Sequence, residues 1–273
     1  SRGLGDVYKR QLIYLAELLY RANPSEELLK KYNSLIQETA EFMYSFATYE
    51  EEHDRYVLKG AIPAQETLRA AETVNPPFEL SYWHFAMQVA QTWRERTRME
   101  RVPEWDVLIE KLSPLAYNDE QLYLAAETAV DTYKDIRFTS DHMAVLGAVG
   151  ILPMNQLIHA GYMKNTLHWI WDNWNWDKTW GWDYPMTAMN AARMGEPEKA
   201  VSALLMDKRT NTYLVNGHNY QDGRLRIYLP GNGGLLTTVA MMCAGWDGSE
   251  GNNPGFPKDG KWNVRWEGLQ PLP

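Results

Sequence analysis

The sequence holds a single cysteine, Cys243, inside the apolar run LLTTVAMMCAGW, so no disulfide can form within the chain and the thiol reads as a packing group rather than a nucleophile. It has no basic run, and a net charge of -8 with a pI of about 5.3 argues against a nucleic-acid or anionic-membrane partner. No stretch approaches the roughly 20 apolar residues of a membrane span, and no signal peptide shows at the N-terminus. The histidines include no HExxH and no pair with a carboxylate at ligand spacing, Gly231 to Gly234 read as a tight turn rather than a phosphate loop, and there is no nucleophile elbow. The sequence therefore predicts no metal and no cofactor. Self-similarity at a fixed period is also missing, which speaks against a solenoid. Residues 1–11, SRGLGDVYKRQ, lack an initiator methionine and any periodicity, and read as a non-native or disordered tail on a truncated reading frame.

What is present is a globular composition, 45% hydrophobic and 23% charged, over 273 residues, enough to bury a sizeable core. Leu12 to Arg21 has helical spacing, Asn23-Pro24-Ser25 closes it, and Glu26 and Glu27 open a long amphipathic helix through Phe46. Residues 55–79, with Pro63, Pro76 and Pro77, read as a long irregular connection of the kind that carries function. Helices are expected over Leu80 to Arg98, from Pro103, over Asp141 to Ile151, from Met154 toward the tryptophans, on both sides of Gly195, and over Gly234 to Ala244. Residues 118–132 read as a short helix or irregular, and WNVRWEGL near the C-terminus as a short strand. About nine helices with no sheet-founding strand predict an all-α chain of antiparallel hairpins. The helical domain is placed at 12–248 and an irregular extension at 249–273.

The densest signal is Trp169 to Asp183, WIWDNWNWDKTWGWD, with six of the twelve tryptophans: Trp169, Trp171, Trp174, Trp176, Trp180 and Trp182. Each indole is large, rigid and carries an N–H that needs a partner when buried. Alternation with Asp172, Asn173, Asn175, Asp177 and Asp183 sets flat apolar faces beside carboxylates and amides, which suits a sugar. For any one of these tryptophans core packing is the simpler explanation; the argument rests on the cluster.

Four blocks, in order, resemble the six-hairpin glycoside hydrolases with an (α/α)6 toroid, in particular families 95 and 65. Ile62-Pro63-Ala64-Gln65-Glu66 is similar to the block holding the general acid of family 95. Ser140-Asp141-His142-Met143 through Pro153 resembles its His-Leu-Ser-His stretch, and Gly181-Trp182-Asp183 through Gly195 its Gly-Trp-Ser block followed by Ala-Arg-Leu-Gly. Pro230 to Leu236 stands where the family has Asp-Gly-Asn-Phe-Gly, with Pro230 in place of a family aspartate. The resemblance covers roughly 12–248 and implies a toroid incomplete at its N-terminus. It also implies a periplasmic or extracellular glycosidase acting on an oligo- or polysaccharide with inversion.

Glycoside hydrolysis takes one protonated carboxylic acid and a second group that activates water or attacks carbon. Glu66, behind apolar Ile62 and Ala64, fits the acid by desolvation as well as by the family block. Glu79, after two prolines and near Tyr82 and Trp83, is its rival, though its place in a helical first turn explains it equally. Asp183 is the preferred base, with N-capping as the alternative explanation, and Asp141 comes third. Trp174, Trp176, Trp180, Trp182, Asp141, His142, His218 and Asn232 are the expected sugar contacts. A carbohydrate-binding protein without catalysis and a helical scaffold for protein partners are the competing functions. Apolar positions Leu12, Leu15 and Leu19 are expected to lack some of their packing partners.

Overall fold

The computed structural model describes the backbone of residues 3–273 and the side chains of residues 11–273. Among them are eight α-helices: α1 (Gly3–Ala22), α2 (Glu26–Phe46), α3 (Pro77–Arg96), α4 (Pro103–Lys111), α5 (Ala160–Asn173), α6 (Asp183–Arg193), α7 (Pro197–Leu204) and α8 (Leu229–Ala244). Two small antiparallel ribbons join β1 (Thr48–Glu50) to β2 (Arg55–Val57) and β3 (Thr212–Tyr213) to β4 (Asn219–Tyr220). The chain is helix-rich with little sheet, and no described helix is long and apolar enough to cross a membrane.

The helix ends follow their local chemistry. Ser25 Oγ accepts the Leu28 N–H at 3.2 Å, capping α2 after the three-residue turn from α1. Pro77 and Pro103 open α3 and α4, where a missing N–H costs nothing. Gly195, at φ +75°, ends α6: its N–H reaches Ala192 O at 3.1 Å and the Glu196 N–H reaches Ala191 O at 2.8 Å, the paired bonds of a left-handed C-cap. That turn folds α7 back onto α6.

Helix α3 is the central element, buried around most of its circumference and packed against α1, α2, α4 and the turn at 144–149. Its large rings have satisfied donors: Trp83 Nε1 donates to Met43 O at 2.9 Å, and Trp93 Nε1 to buried Glu17 at 2.7 Å. Arg96 and Arg21 complete the pairing of Glu17 at 2.6 and 3.2 Å, as a buried carboxylate requires. On α1, Ile13 and Ala16 face inward, Leu12 is partly buried, and Leu15 and Leu19 stand half exposed.

Several elements differ from expectation. Helix α1 starts at Gly3 rather than Leu12 and runs through Gly5 without a proline to stop it; positions 1–2, and the side chains of 1–10, lie outside the described residues. The charged run Glu50 to Asp54 after α2 lies at the turn of the β1–β2 ribbon. The expected helix over Asp141 to Ile151 is a short 3-10 turn, Ala144–Val149, in a segment carrying Gly147, Gly150 and Pro153. Residues 118–132 are irregular and the C-terminal strand is absent among the described residues. The extension nonetheless returns to the core, where Asp247 N donates to Leu272 O at 2.9 Å and Arg193 Nη2 to Pro273 O at 2.6 Å.

His84 on α3 is buried, and neither ring nitrogen has a hydrogen-bond partner. Burial lowers its pKa from 6.5 to about 4, so it folds neutral while the unfolded chain takes up a proton as pH falls. The stability associated with neutral His84 is complete above pH 6.5 and is lost between 6.5 and 4. Denaturant unfolding at pH 7 and pH 5 should therefore show the wild type losing about 2 kcal/mol more than His84→Gln. An unchanged difference between the two chains would contradict the assignment.

Candidate active site

The loop after β2 carries Glu66, and its neighbours are tied down on every side. The Ala64 N–H donates to Glu79 Oε1 at 2.8 Å, and Gln65 Nε2 to Phe138 O at 2.8 Å. Thr67 donates to Asp141 Oδ2 through its N–H at 2.6 Å and its hydroxyl at 2.5 Å. Glu66 itself is exposed on the wall of a cavity of about 690 Å3, shared with Glu79, Phe78 and Tyr82 from the start of α3, Tyr14 from α1, and Trp182. That volume is in the range of small-molecule sites. Ile62 and Ala64, the apolar neighbours before it, line the same cavity, and Glu66 is exposed rather than enclosed by them.

Behind Trp182 lies a buried pair. Asp183, the first residue of α6, has no exposed surface; it accepts from the Trp180 N–H at 2.8 Å and faces His142 Nδ1 at 3.0 Å. The preferred base thus grips an imidazole instead of meeting cavity water. Asp141 is committed too, to Thr67 and to the His142 N–H at 2.7 Å, and buckles the Glu66 loop onto this segment. The His142 ring meets Trp182 edge-on at 4.7 Å and lies 6.1 Å from Trp180, which leans on Tyr228 at 5.4 Å.

The tryptophans divide by their N–H groups. Trp174 Nε1 donates to Asp141 O at 2.9 Å and Trp176 Nε1 to Trp171 O at 3.2 Å, and both rings are buried. They are core residues, so the sugar-contact reading fails for them. The Trp182 Nε1 is buried without a hydrogen-bond partner, and its residue lines the cavity. Asn232 spends its amide on Asn219 N at 2.9 Å and Gly217 O at 2.8 Å, pinning the β3–β4 ribbon to α8. His218, in the turn between those strands, lines neither this cavity nor its neighbour. Gly181 is required by packing, since a Cβ there would lie 1.9 Å from the Asn219 Oδ1.

The site therefore unites Glu66 and Trp182, with His142, Asp183, Asp141 and Trp180 as its support. Residues not foreseen are Tyr14 and Phe78; the aromatic neighbourhood of Glu79 was the one sequence clue to this wall. Burial works against a charged imidazole at His142, but the hydrogen bond and charge of Asp183, with Asp141 and Glu66 beyond, outweigh it and raise the pKa above 6.5. Burial also raises the Asp183 carboxyl, which His142 and the Trp180 N–H only partly offset. Both directions keep one shared proton in the pair.

No protein-family model and no curated protein matches the sequence. Among solved structures, the chain is similar in fold to one described as "Putative kojibiose phosphorylase from human microbiome", with a TM-score of 0.58 and 7% identity. The match takes in 87% of this chain and 39% of that one, so the chain spans about two-fifths of the neighbour's length.

Because the folded pKa of His142 is raised, the pair's stabilisation is complete below pH 6.5 and fades as pH climbs through the raised value. Imidazole nitrogen shifts followed by NMR should show His142 titrating above 6.5 in the wild type and lower in Asp183→Asn, where burial is opposed only by the more distant charges of Asp141 and Glu66. The same midpoint in both chains would refute the pairing.

Proposed function

We propose that the chain carries the catalytic cavity of a carbohydrate-active enzyme of the (α/α)6 class, related to glycoside hydrolase families 65 and 95, which hydrolyses an O-glycosidic bond with inversion. The observation that carries this reading is the cavity itself: two carboxylates, Glu66 and Glu79, on one wall with the rings of Trp182, Tyr82 and Phe78. Flat rings take the C–H faces of a sugar, and the carboxylates supply acid and base chemistry. Likeness in fold to a structure described as a phosphorylase of kojibiose supports a carbohydrate ligand.

In this reading Glu66, free at the cavity edge while its neighbours are tied, donates a proton to the leaving oxygen. Glu79, fixed by the Ala64 N–H, replaces Asp183 as the group that takes a proton from water, because it touches the cavity and Asp183 does not. Asp183 holds His142, and His142 backs the Trp182 ring. A binding protein without turnover is the second reading, favoured by Pro230 at the family's aspartate position and by the sealed Asp183.

Glu66→Gln should lower kcat by roughly a hundred- to ten-thousandfold with little change in KM. The loss should be smaller on 4-nitrophenyl glycosides, whose leaving group needs no proton. Steady-state kinetics on matched alkyl and 4-nitrophenyl glycosides checks this. A wild-type rate in the variant removes Glu66 as acid, and saturable binding without product favours the second reading.

A further inference from the structure

Beside the carboxylate-bearing cavity lies a second one of about 290 Å3. Tyr14, Ile151 and Trp182 line both, so these three side chains form a shared wall. The smaller cavity is completed by Pro185, Met186 and Met189 of α6 with Pro230 and Thr237 of α8. None of its lining residues is charged, and Tyr14 and Thr237 bring the only side-chain hydroxyls. Helix α8 carries no charged residue anywhere along its length.

Both walls are mostly apolar, and what separates the cavities is charge: Glu66 and Glu79 line the larger and no charged residue lines the smaller. A sugar ring in the smaller one would leave most of its hydroxyls without partners, which is costly in an apolar site. An apolar ring or short alkyl chain would meet methionine, proline and indole, and a cavity of about 150 Å3 already holds benzene. The smaller cavity has nearly twice that volume. Methionines adapt their shape to irregular apolar groups and favour aromatic edges.

We propose that the ligand is a glycoside with an apolar aglycone: the sugar occupies the larger cavity beside Glu66 and Glu79, and an aryl or alkyl group lies across Trp182 in the smaller. This rests on the larger cavity being the sugar site. The occupant is argued from that continuity, from the missing charge and from the volume.

Calorimetry on the full chain with matched pairs of methyl and phenyl glycosides, over a panel of common hexoses and deoxyhexoses, tests the idea. Phenyl glycosides should bind at least tenfold more tightly than their methyl counterparts. Thr237→Trp, a substitution at an exposed position on the smaller cavity, should erase that preference and leave methyl-glycoside affinity unchanged. Pro230→Trp, at another exposed lining position, gives the same readout if Thr237→Trp fails to fold. Equal binding of methyl and phenyl glycosides, or a preference that survives both substitutions, overturns the aglycone site while the sugar site stands. Absence of binding by every glycoside overturns both, and phenol binding as tightly as the phenyl glycosides shows that the sugar contributes nothing and overturns the proposal as well.

Discussion

The pairing of His142 with Asp183 is the constraint on which the site depends. The two residues lie 41 positions apart, one in an irregular segment and the other at the head of α6, and neither has more than a trace of exposed surface. Leaving one member of such a pair unpartnered in the interior costs roughly 3–5 kcal/mol. Everything nearby takes its place from this contact. The Trp180 N–H completes the coordination of Asp183, the Trp182 ring rests edge-on against the imidazole, and Asp141, one residue before His142, holds the Glu66 loop through Thr67. Three segments distant in sequence are thereby locked around one cavity.

The acidic residues divide by what they touch. Asp183 is fully enclosed and Asp141 half-buried, and both act through the groups they bind, whereas exposed Glu66 and buried Glu79 line the cavity. Among the indoles, Trp174 and Trp176 are buried with their N–H groups on backbone carbonyls, whereas Trp182, whose buried N–H has no hydrogen-bond partner, lines both cavities. The close approach of Asn219 to Gly181 and Gly231 then fixes the β3–β4 ribbon against the heads of α6 and α8, where the smaller cavity lies.

Much of the helical framework was legible because its signals are local. Apolar spacing located the body of α1 and α2, proline at a first turn marked α4, and Gly195 marked the α6–α7 hairpin, whereas Pro77, read as part of the preceding connection, in fact opens α3. The stretch from 140 to 153 misled because apolar content is shared by a buried helix and a buried 3-10 turn, and Gly147 and Gly150 decide between them through packing. The tryptophan cluster pointed to the right region but not to the right rings, since which side of a turn faces a cavity is set by partners far away: Trp174 is fixed by a carbonyl 33 positions earlier. Asp183 read as a base, with capping as the alternative, and only its contact with His142 shows the role it has. The aromatic wall of Tyr14, Phe78 and Tyr82 comes from two helices whose convergence no spacing encodes.

A double-mutant cycle on His142 and Asp183, read by urea unfolding, tests most directly whether this pair holds the site together. If it does, His142→Asn and Asp183→Asn should each cost about 3 kcal/mol. The double variant should cost little more than either one, a coupling of roughly 2 kcal/mol or more. Single losses that add to within about 0.5 kcal/mol would mean that the two residues act independently, and would contradict the account.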